Sequence, residues 1–362
     1  MTRHTPFFSI GITTYNQPDL LKQALESILD QTFSDVEVIV GNDNPGEFLS
    51  LERFGLHDSR IRFINHPENL GERGNMNSLL AMSRGRYFTW LADDDFYAPG
   101  FLKTLNTELT RFNFPPCAFT SYVMRDDSGA WTDKYDRFSG TSRLLAGSEF
   151  VRMYFGGTIR AIGTCGMFEA GYIRTTGGVE KLGNGPFALY SEYLLLMKAA
   201  LLEQVLYIDS PLVTYRVHEN SWGCSNLDLE EYKVAGRQLI KKCADLFEDP
   251  MVVKDYRQNL ADLSRLHWST FISKTLFEAS EAGLGIPALT LLFRRASEAE
   301  SHIREILSEI EEKTRKYGPD LRVTSLKDTS KFILLLRLLY LIYTTRGKKV
   351  DHKAIKASEN GK

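Results

Sequence analysis

Short apolar runs of strand character alternate with amphipathic helical stretches along the N-terminal part of the chain, and each run breaks off in polar residues. The first run, Phe7 to Thr14 (FFSIGITT), stops at Tyr15-Asn16-Gln17-Pro18, a turn and helix start with Pro near the first helical position. Leu20, Leu21, Ala24, Leu25, Ile28 and Leu29 then fall on one helical face. Val36 to Val40 leads into Gly41-Asn42-Asp43-Asn44-Pro45-Gly46, and Arg60 to Asn65 is followed by Asn69-Leu70-Gly71 and a helix carrying Met76, Leu79, Leu80 and Met82. The next run, Tyr87 to Leu91, ends abruptly in Asp93, Asp94 and Asp95 before Pro99-Gly100 opens another helical pattern. This alternation predicts an α/β fold: a Rossmann-like open sheet, mostly parallel, with helices on both faces. Ligands of such sheets bind outside the carboxyl ends of the strands, which collects Thr13 to Asn16, Asp43 and the acidic triplet along one edge.

Carboxylates that close repel one another unless a positive charge lies between them. The triplet therefore asks for a divalent cation such as Mg2+ or Mn2+, bound through one or two carboxylates and the phosphates of a substrate. The alternative is a solvated acidic turn in which Asp95 or a neighbour caps the helix that begins near Pro99. Thr13 and Tyr15 could equally finish a strand, and Asp43 could serve the turn beside Pro45-Gly46. ITTYNQP after the first run is neither GxGxxG nor GxxxxGK[ST], which excludes a dinucleotide-binding Rossmann site and a P-loop. Phosphate binding would have to run through metal and side chains.

At 362 residues, 43% hydrophobic and 25% charged, the chain can bury a full core and has room for more than one domain. A net charge of -2 gives no electrostatic case for nucleic acid. Cys117, Cys165, Cys224 and Cys243 are too widely spaced for a zinc site or a disulfide framework, so reduced thiols are expected. The opening MTRHTPFFSIGITTYN has too short an apolar run for a signal peptide, and no stretch is long enough for a membrane span, so a cytoplasmic protein is expected.

Pro115 to Val123 reads as a further strand, and Arg125 to Asp136 as a polar excursion with a turn at Asp126-Asp127-Ser128-Gly129. Gly163, Gly166, Gly177, Gly178, Gly183 and Gly185 imply close-packed loops near a ligand. Glu192 opens an apolar helix running through Leu196 to Leu202, where the helix dipole alone would favour an acid. A strand beginning near Leu212 leads to Tyr215-Arg216-Val217-His218. Residues 226–316 look mainly helical. Lys331 to Tyr343 (KFILLLRLLYLIY), followed by Arg346, Lys348, Lys349, Lys353 and Lys356, suits a helix at a membrane interface beside anionic lipid, or else a buried or dimer-forming helix.

The segments SIGITTYNQPDLLKQALESILDQTF, VEVIVGNDNPGE and ENLGERGNMNSLLAMSRGRYFTWLADDDFYAPGFL, in that order, resemble the family 2 glycosyltransferases, which have the GT-A nucleotide-sugar fold. The resemblance implies that Thr13, Tyr15 and Asn16 in the loop after the first strand, and Asp43 after the second, hold the nucleotide. It implies that Arg73 or Asn77 approaches it from the following helix. The acidic motif often reads Leu-Asp-x-Asp-Asp in this family, whereas Leu91-Ala92-Asp93-Asp94-Asp95 stands here. Aligned through Tyr97-x-Pro99, Asp94 corresponds to the metal ligand and Asp93 to the ribose contact, with Asp95 the alternative ligand. Ser191-Glu192 occupies the place of the family's Glu-Asp pair, which makes Glu192 the general base for the acceptor hydroxyl. The family's Tyr-Arg-x-His matches Tyr215 to His218 and implies that His218 completes a metal or diphosphate site.

Taken together, the resemblance implies a GT-A catalytic domain over residues 1–224, with a nucleotide-binding half to about 101 and an acceptor-binding half from 102, then a helical region over 225–362 with an interface helix at 331–345. The implied activity is inverting transfer, dependent on Mg2+ or Mn2+, from a UDP-sugar to a glycan or lipid-linked acceptor in surface polysaccharide biosynthesis, at the inner face of the cytoplasmic membrane. Homo-oligomerisation is the other use for the C-terminal helix. The rival readings are a non-catalytic nucleotide- or glycan-binding scaffold on the same fold, and a sugar nucleotidyltransferase, whose Gly-rich, Arg-containing loop ITTYNQP does not supply.

Overall fold

In a computed structural model, the protein is described at residues 4–126, 128–130, 137–218 and 229–246, and at positions 301, 305 and 308. Two compact units divide the chain, Met1–Ser225 and Asn226–Lys362.

In the first unit, β1 (Phe8–Thr14) and β2 (Val36–Asn42) contain no exposed residue, the pattern of strands covered on both faces. They run parallel with Ile10 opposite Val38, and β1 pairs on its other side with β4 (Tyr87–Ala92), where Ile10 meets Thr89. Strand β3 (Ile61–Asn65) adds parallel to β2. Parallel neighbours need crossovers, and α1 (Pro18–Leu29) and α2 (Gly71–Met82) supply two of them. Helix α1 starts on Pro18 and buries Leu21, Ala24, Leu25 and Ile28 against the sheet, while Leu20 and Leu29 on the same face are half-buried. Each fully buried side chain of this size contributes roughly 1.5–3 kcal/mol. Glu37 interrupts the apolar run of β2, and its carboxylate accepts from the Ser9 hydroxyl at 2.6 Å and from Arg84 Nη2 at 2.8 Å, so the buried charge is partnered.

The chain continues through β5 (Phe96–Tyr97), α3 (Phe101–Arg111), β6 (Cys117–Asp126), β7 (Ser142–Leu145), α4 (Gly147–Phe155), β8 (Met167–Glu169), α5 (Ala170–Thr175), α6 (Ser191–Ala200) and β9 (Val205–Val217). Among the described residues the sheet has the order β3-β2-β1-β4-β8-β6-β9-β5, with β7 also on β9. The first four strands and the β6–β9 pair are parallel; β5, β7 and β8 join antiparallel. This is a mixed α/β sheet, largely parallel as the alternation of strands and helices predicts.

Three local expectations change. The strand expected to begin near Leu212 begins at Val205, and Pro211 does not end it because it sits at a register shift opposite Ser121, where no ladder donor is needed. Helix α3 begins at Phe101, and the side chain on its first turn is Gln31, whose Oε1 accepts from the Leu102 N–H at 3.1 Å, while Asp95 accepts from the Arg216 N–H, so the alternative that Asp95 caps this helix falls. Strand β6 runs on to Asp126, whose Oδ1 accepts from the Ser128 and Ala130 N–H groups at 2.9 and 3.0 Å in the turn expected there; Asp127 and residues 131–136 lie outside the described residues.

In the second unit the helix Leu229–Leu246 buries Tyr232, Ala235, Leu239, Ile240 and Cys243, a stripe at helical spacing. Cys117, Cys165 and Cys243 are free thiols. Cys224, most of the helical stretch read over 226–316, and the proposed interface helix at 331–345 lie outside the described residues. Among the described residues no helix is long and apolar enough to cross a membrane.

Candidate active site

Because β1, β2 and β4 are parallel, their carboxyl ends emerge side by side: Thr13 lies opposite Gly41 on one flank and Ala92 on the other. Thr13 is half-buried and Tyr15 is 50% exposed in the loop beyond. Asn16 adopts a left-handed conformation (φ 61°), tolerated by Asn, and its Oδ1 accepts from Asn44 Nδ2 at 2.6 Å, tying the loop after β1 to the loop after β2. Asp43 is buried; its N–H donates to the Thr14 carbonyl at 3.0 Å and its Oδ1 accepts from the Leu70 N–H at 2.8 Å. Burial lifts the Asp43 carboxyl above the usual range, against the pull of the Leu70 N–H, of His66 and of the Gly71 N–H. Behind it, Asn75 donates to the Gly41 carbonyl at 2.8 Å and faces His66 Nε2 at 3.1 Å. Sequence reasoning passed over this pair, although a buried Asn beside Met76 and Leu79 on an apolar face is its signal.

The three aspartates have three different surroundings. Asp93 is buried and its Oδ2 has no hydrogen-bond partner among the described residues. Burial pushes its carboxyl up to about 7; the Thr14 hydroxyl draws it down, the charge of Asp94 adds to the rise, and the Tyr15 N–H draws it down again. A buried polar atom without a partner in a cleft marks a place for a ligand. Asp94, half-buried, brings Oδ2 within 3.1 Å of Nε2 of His218, the residue that follows the last position of β9. Asp95 is buried, and its Oδ1 accepts from the Arg216 N–H at 2.9 Å while Arg216 Nη2 donates to Gln23 Oε1 at 2.7 Å. Burial, and next the charge of Asp94, raise the Asp95 carboxyl well above its ordinary value.

Asp95 therefore ties β4 to β9 and takes up a backbone donor where the two-residue β5 stops pairing. Among the described residues, no three His, Cys, Asp or Glu side chains close into a ligand group. Of the expected set Asp94, Asp95 and His218, the structure brings Asp94 and His218 together and turns Asp95 toward the Arg216 N–H.

Glu192 arrives from the second half. Helix α6 is entered through Tyr190 in a left-handed conformation (φ 55°), and Glu192 stands in its first turn, where the helix dipole also favours an acid. Burial raises the Glu192 carboxyl, with the Tyr193 hydroxyl opposing the rise, and the Glu192 charge is felt by Tyr154 of α4 as well. Gly163 packs directly on the Glu192 backbone, where any side chain would collide with the carbonyl. The same loop is fastened to β4, since the Trp90 N–H donates to the Thr164 carbonyl at 3.2 Å. Next along, the buried Cys165 thiol is pushed up first by burial and then by the charges of Asp95, Glu192 and Asp94.

Arg73 is half-buried with its Nε lacking a hydrogen-bond partner among the described residues. Asn77 is differently placed: its Nδ2 donates to the Val179 carbonyl at 2.8 Å and its Oδ1 accepts from the Val179 N–H at 2.9 Å, a clasp between α2 and the second half. Two further residues escaped the sequence reading. Lys198 is 1% exposed and donates to the carbonyls of Thr176 at 2.5 Å and Gly178 at 2.8 Å, with Glu180 Oε1 at 3.0 Å. A lone charge inside the apolar run of α6 was its signal. Glu72 Oε2 accepts from the Ala188 N–H at 3.0 Å.

Residues 9–176 match the family described as glycosyl transferase family 2. A GalNAc(5)-diNAcBac-PP-undecaprenol β-1,3-glucosyltransferase of Campylobacter jejuni is 36% identical over 103 residues, 28% of this chain and 33% of that protein. A putative glycosyltransferase of Bacillus subtilis, EpsH, is 22% identical over 296 residues, 76% of this chain and 81% of that protein. The chain spans about a third or less of the length of the first three curated relatives it matches. Among solved structures, S. aureus TarS 1-349 in complex with UDP-GlcNAc superposes with a TM-score of 0.60 at 15% identity, covering 85% of this chain and 91% of that one, a likeness of fold. The strand-end geometry and these matches agree: the chain carries a glycosyl transferase family 2 domain, on a GT-A fold, over residues 9–176.

Proposed function

We propose that this chain is an inverting glycosyltransferase that takes a sugar from a UDP-sugar, with a divalent cation, and transfers it to a lipid-linked glycan acceptor of surface polysaccharide synthesis. The observation that carries the reading is the arrangement at the end of β4: an orphaned Asp93 oxygen beside the Asp94–His218 pair, with half-buried Glu192 near enough for its charge to act on Cys165 along with those of Asp94 and Asp95.

These residues fit a hard cation, which needs only one or two protein ligands when the substrate brings phosphates. Asp94 and His218 would hold Mg2+ or Mn2+, whose positive charge would stand beside the departing diphosphate. Thr13, Tyr15, Asn16 and Asp43 surround the nucleoside, Asp93 turns to the ribose, and the unpartnered Nε of Arg73 offers a donor to phosphate oxygen. Glu192 takes the proton from the acceptor hydroxyl as that oxygen attacks the anomeric carbon; the bond to the diphosphate oxygen breaks on the opposite face, so configuration inverts. Burial beside Tyr154 and Tyr193 brings a carboxyl closer to the working pH, as a general base requires. The undecaprenol-linked glycan that names the Campylobacter relative supports a lipid-linked glycan as acceptor, which would bring the enzyme to the cytoplasmic face of the membrane.

Calorimetric titration of UDP, with and without Mn2+, tests the donor site on the wild type and on Asp94→Ala. The reading expects Mn2+-dependent binding that is lost in the variant; no UDP binding in the presence of Mn2+ overturns it.

A further inference from the structure

We propose that Glu72 is a positioning residue that sets the catalytic base from the donor side of the cleft. The proposal rests on the assignment of Glu192 as base, and adds to it a residue that touches neither donor nor acceptor.

Ala188 is held at both ends. Its N–H donates to Glu72 Oε2 at 3.0 Å, and its carbonyl accepts from the Ser191 N–H at 3.0 Å. Ser191 is the first residue of α6 and Glu192 the second. The path from the donor helix to the base is therefore one carboxylate, one peptide and one turn of hydrogen bonding. Gly71, directly before Glu72, is left-handed (φ 71°), and a side chain there would come within 2.6 Å of Pro186. Glycine thus lets the start of α2 lie against the strand of chain that Glu72 holds. Five residues further along α2, Asn77 clasps Val179 from both ends of its amide.

The segment between these clasps, residues 179–188, carries Gly183 and Gly185 and lacks regular structure. Solvent reaches Glu72, and Leu70, two positions before it, donates its N–H to Asp43 Oδ1 at 2.8 Å, which sets the start of α2 beside the strand end assigned to the nucleotide. A donor-side residue that also fixes the approach to α6 would orient the Glu192 carboxylate toward the sugar that the donor site presents. Misplacing such a group by about 1 Å can cost about 100-fold in rate.

The test compares Glu72→Ala and Glu72→Gln in the full chain, with the wild type's preferred UDP-sugar identified by donor hydrolysis. Hydrogen exchange over residues 183–191 is measured alongside steady-state kinetics. In Glu72→Ala we expect faster exchange at the Ala188 amide and a kcat lowered about 100-fold, with donor KM near wild type. Glu72→Gln should restore both, because its amide oxygen accepts the same N–H. The inference is overturned if Glu72→Gln behaves as Glu72→Ala does, which would assign the effect to charge, or if exchange quickens while kcat is unchanged. A wild type that transfers no sugar defeats the proposed function instead, and exchange alone then decides the clasp: no difference between Glu72→Ala and wild type overturns it.

Discussion

Asp93→Asn should stabilise the metal-free protein, and the gain should grow with pH. In the folded chain burial strips water from the Asp93 carboxyl and, although the Thr14 hydroxyl draws it down, the Asp94 charge adds to the rise, lifting its pKa from 3.8 to about 7. That difference corresponds to about 4 kcal/mol. The folded state holds the proton more tightly than the unfolded one, so the contribution of Asp93 is fully favourable below 3.8, falls as pH rises, and reaches its full cost above about 7. Asparagine has nearly the same shape and cannot ionise, so it escapes this cost. Urea unfolding of both proteins in EDTA across this range should show curves that meet at the acid end and separate by up to about 4 kcal/mol at the alkaline end. Adding UDP with Mn2+ should narrow the gap, since a ligand that binds only the folded wild type stabilises it by about 2.7 kcal/mol at one hundred times its Kd. A difference that does not vary with pH, or a variant less stable than wild type at the alkaline end, would refute the reasoning.

Other substitutions separate the roles assigned to the remaining residues. Glu192→Gln should lower kcat by about 100-fold to 10,000-fold while leaving UDP affinity at the wild-type value, measured by steady-state kinetics and calorimetry. His218→Ala should weaken UDP binding only when Mn2+ is present, whereas Asp95→Asn, which keeps an acceptor for the Arg216 N–H, should bind UDP as the wild type does. Lys198→Met should destabilise the fold by about 3–5 kcal/mol, because the Thr176 and Gly178 carbonyls and Glu180 lose a buried partner; urea unfolding measures it.

How much of this could be read from the chain differs between its halves. In β1, β2 and β4 the runs are largely apolar because both faces are covered, with Glu37 partnered inside β2, so their existence, their parallel direction and the polar residues at their ends follow from pattern alone. The two-residue β5 and three-residue β8 carry no period long enough to detect, and they are what turns the second half of the sheet partly antiparallel. The strand expected from near Leu212 starts seven residues earlier because a bulge that tolerates Pro211 depends on the partner strand β6. The acidic triplet could be located but not apportioned. That Asp95 bonds Arg216, 121 positions away, is fixed by how β9 returns past β4. Glu72, Asn77 and Lys198 show the same limit, since each is defined by a loop far along the chain that it fastens.

The most direct test of the central claim is the NMR anomeric configuration of the product formed from a UDP-sugar and a lipid-linked glycan acceptor, run in parallel with Glu192→Gln. The account predicts a product inverted relative to the donor and none above background from the variant. A product with retained configuration, or one formed at the wild-type rate by Glu192→Gln, would contradict it.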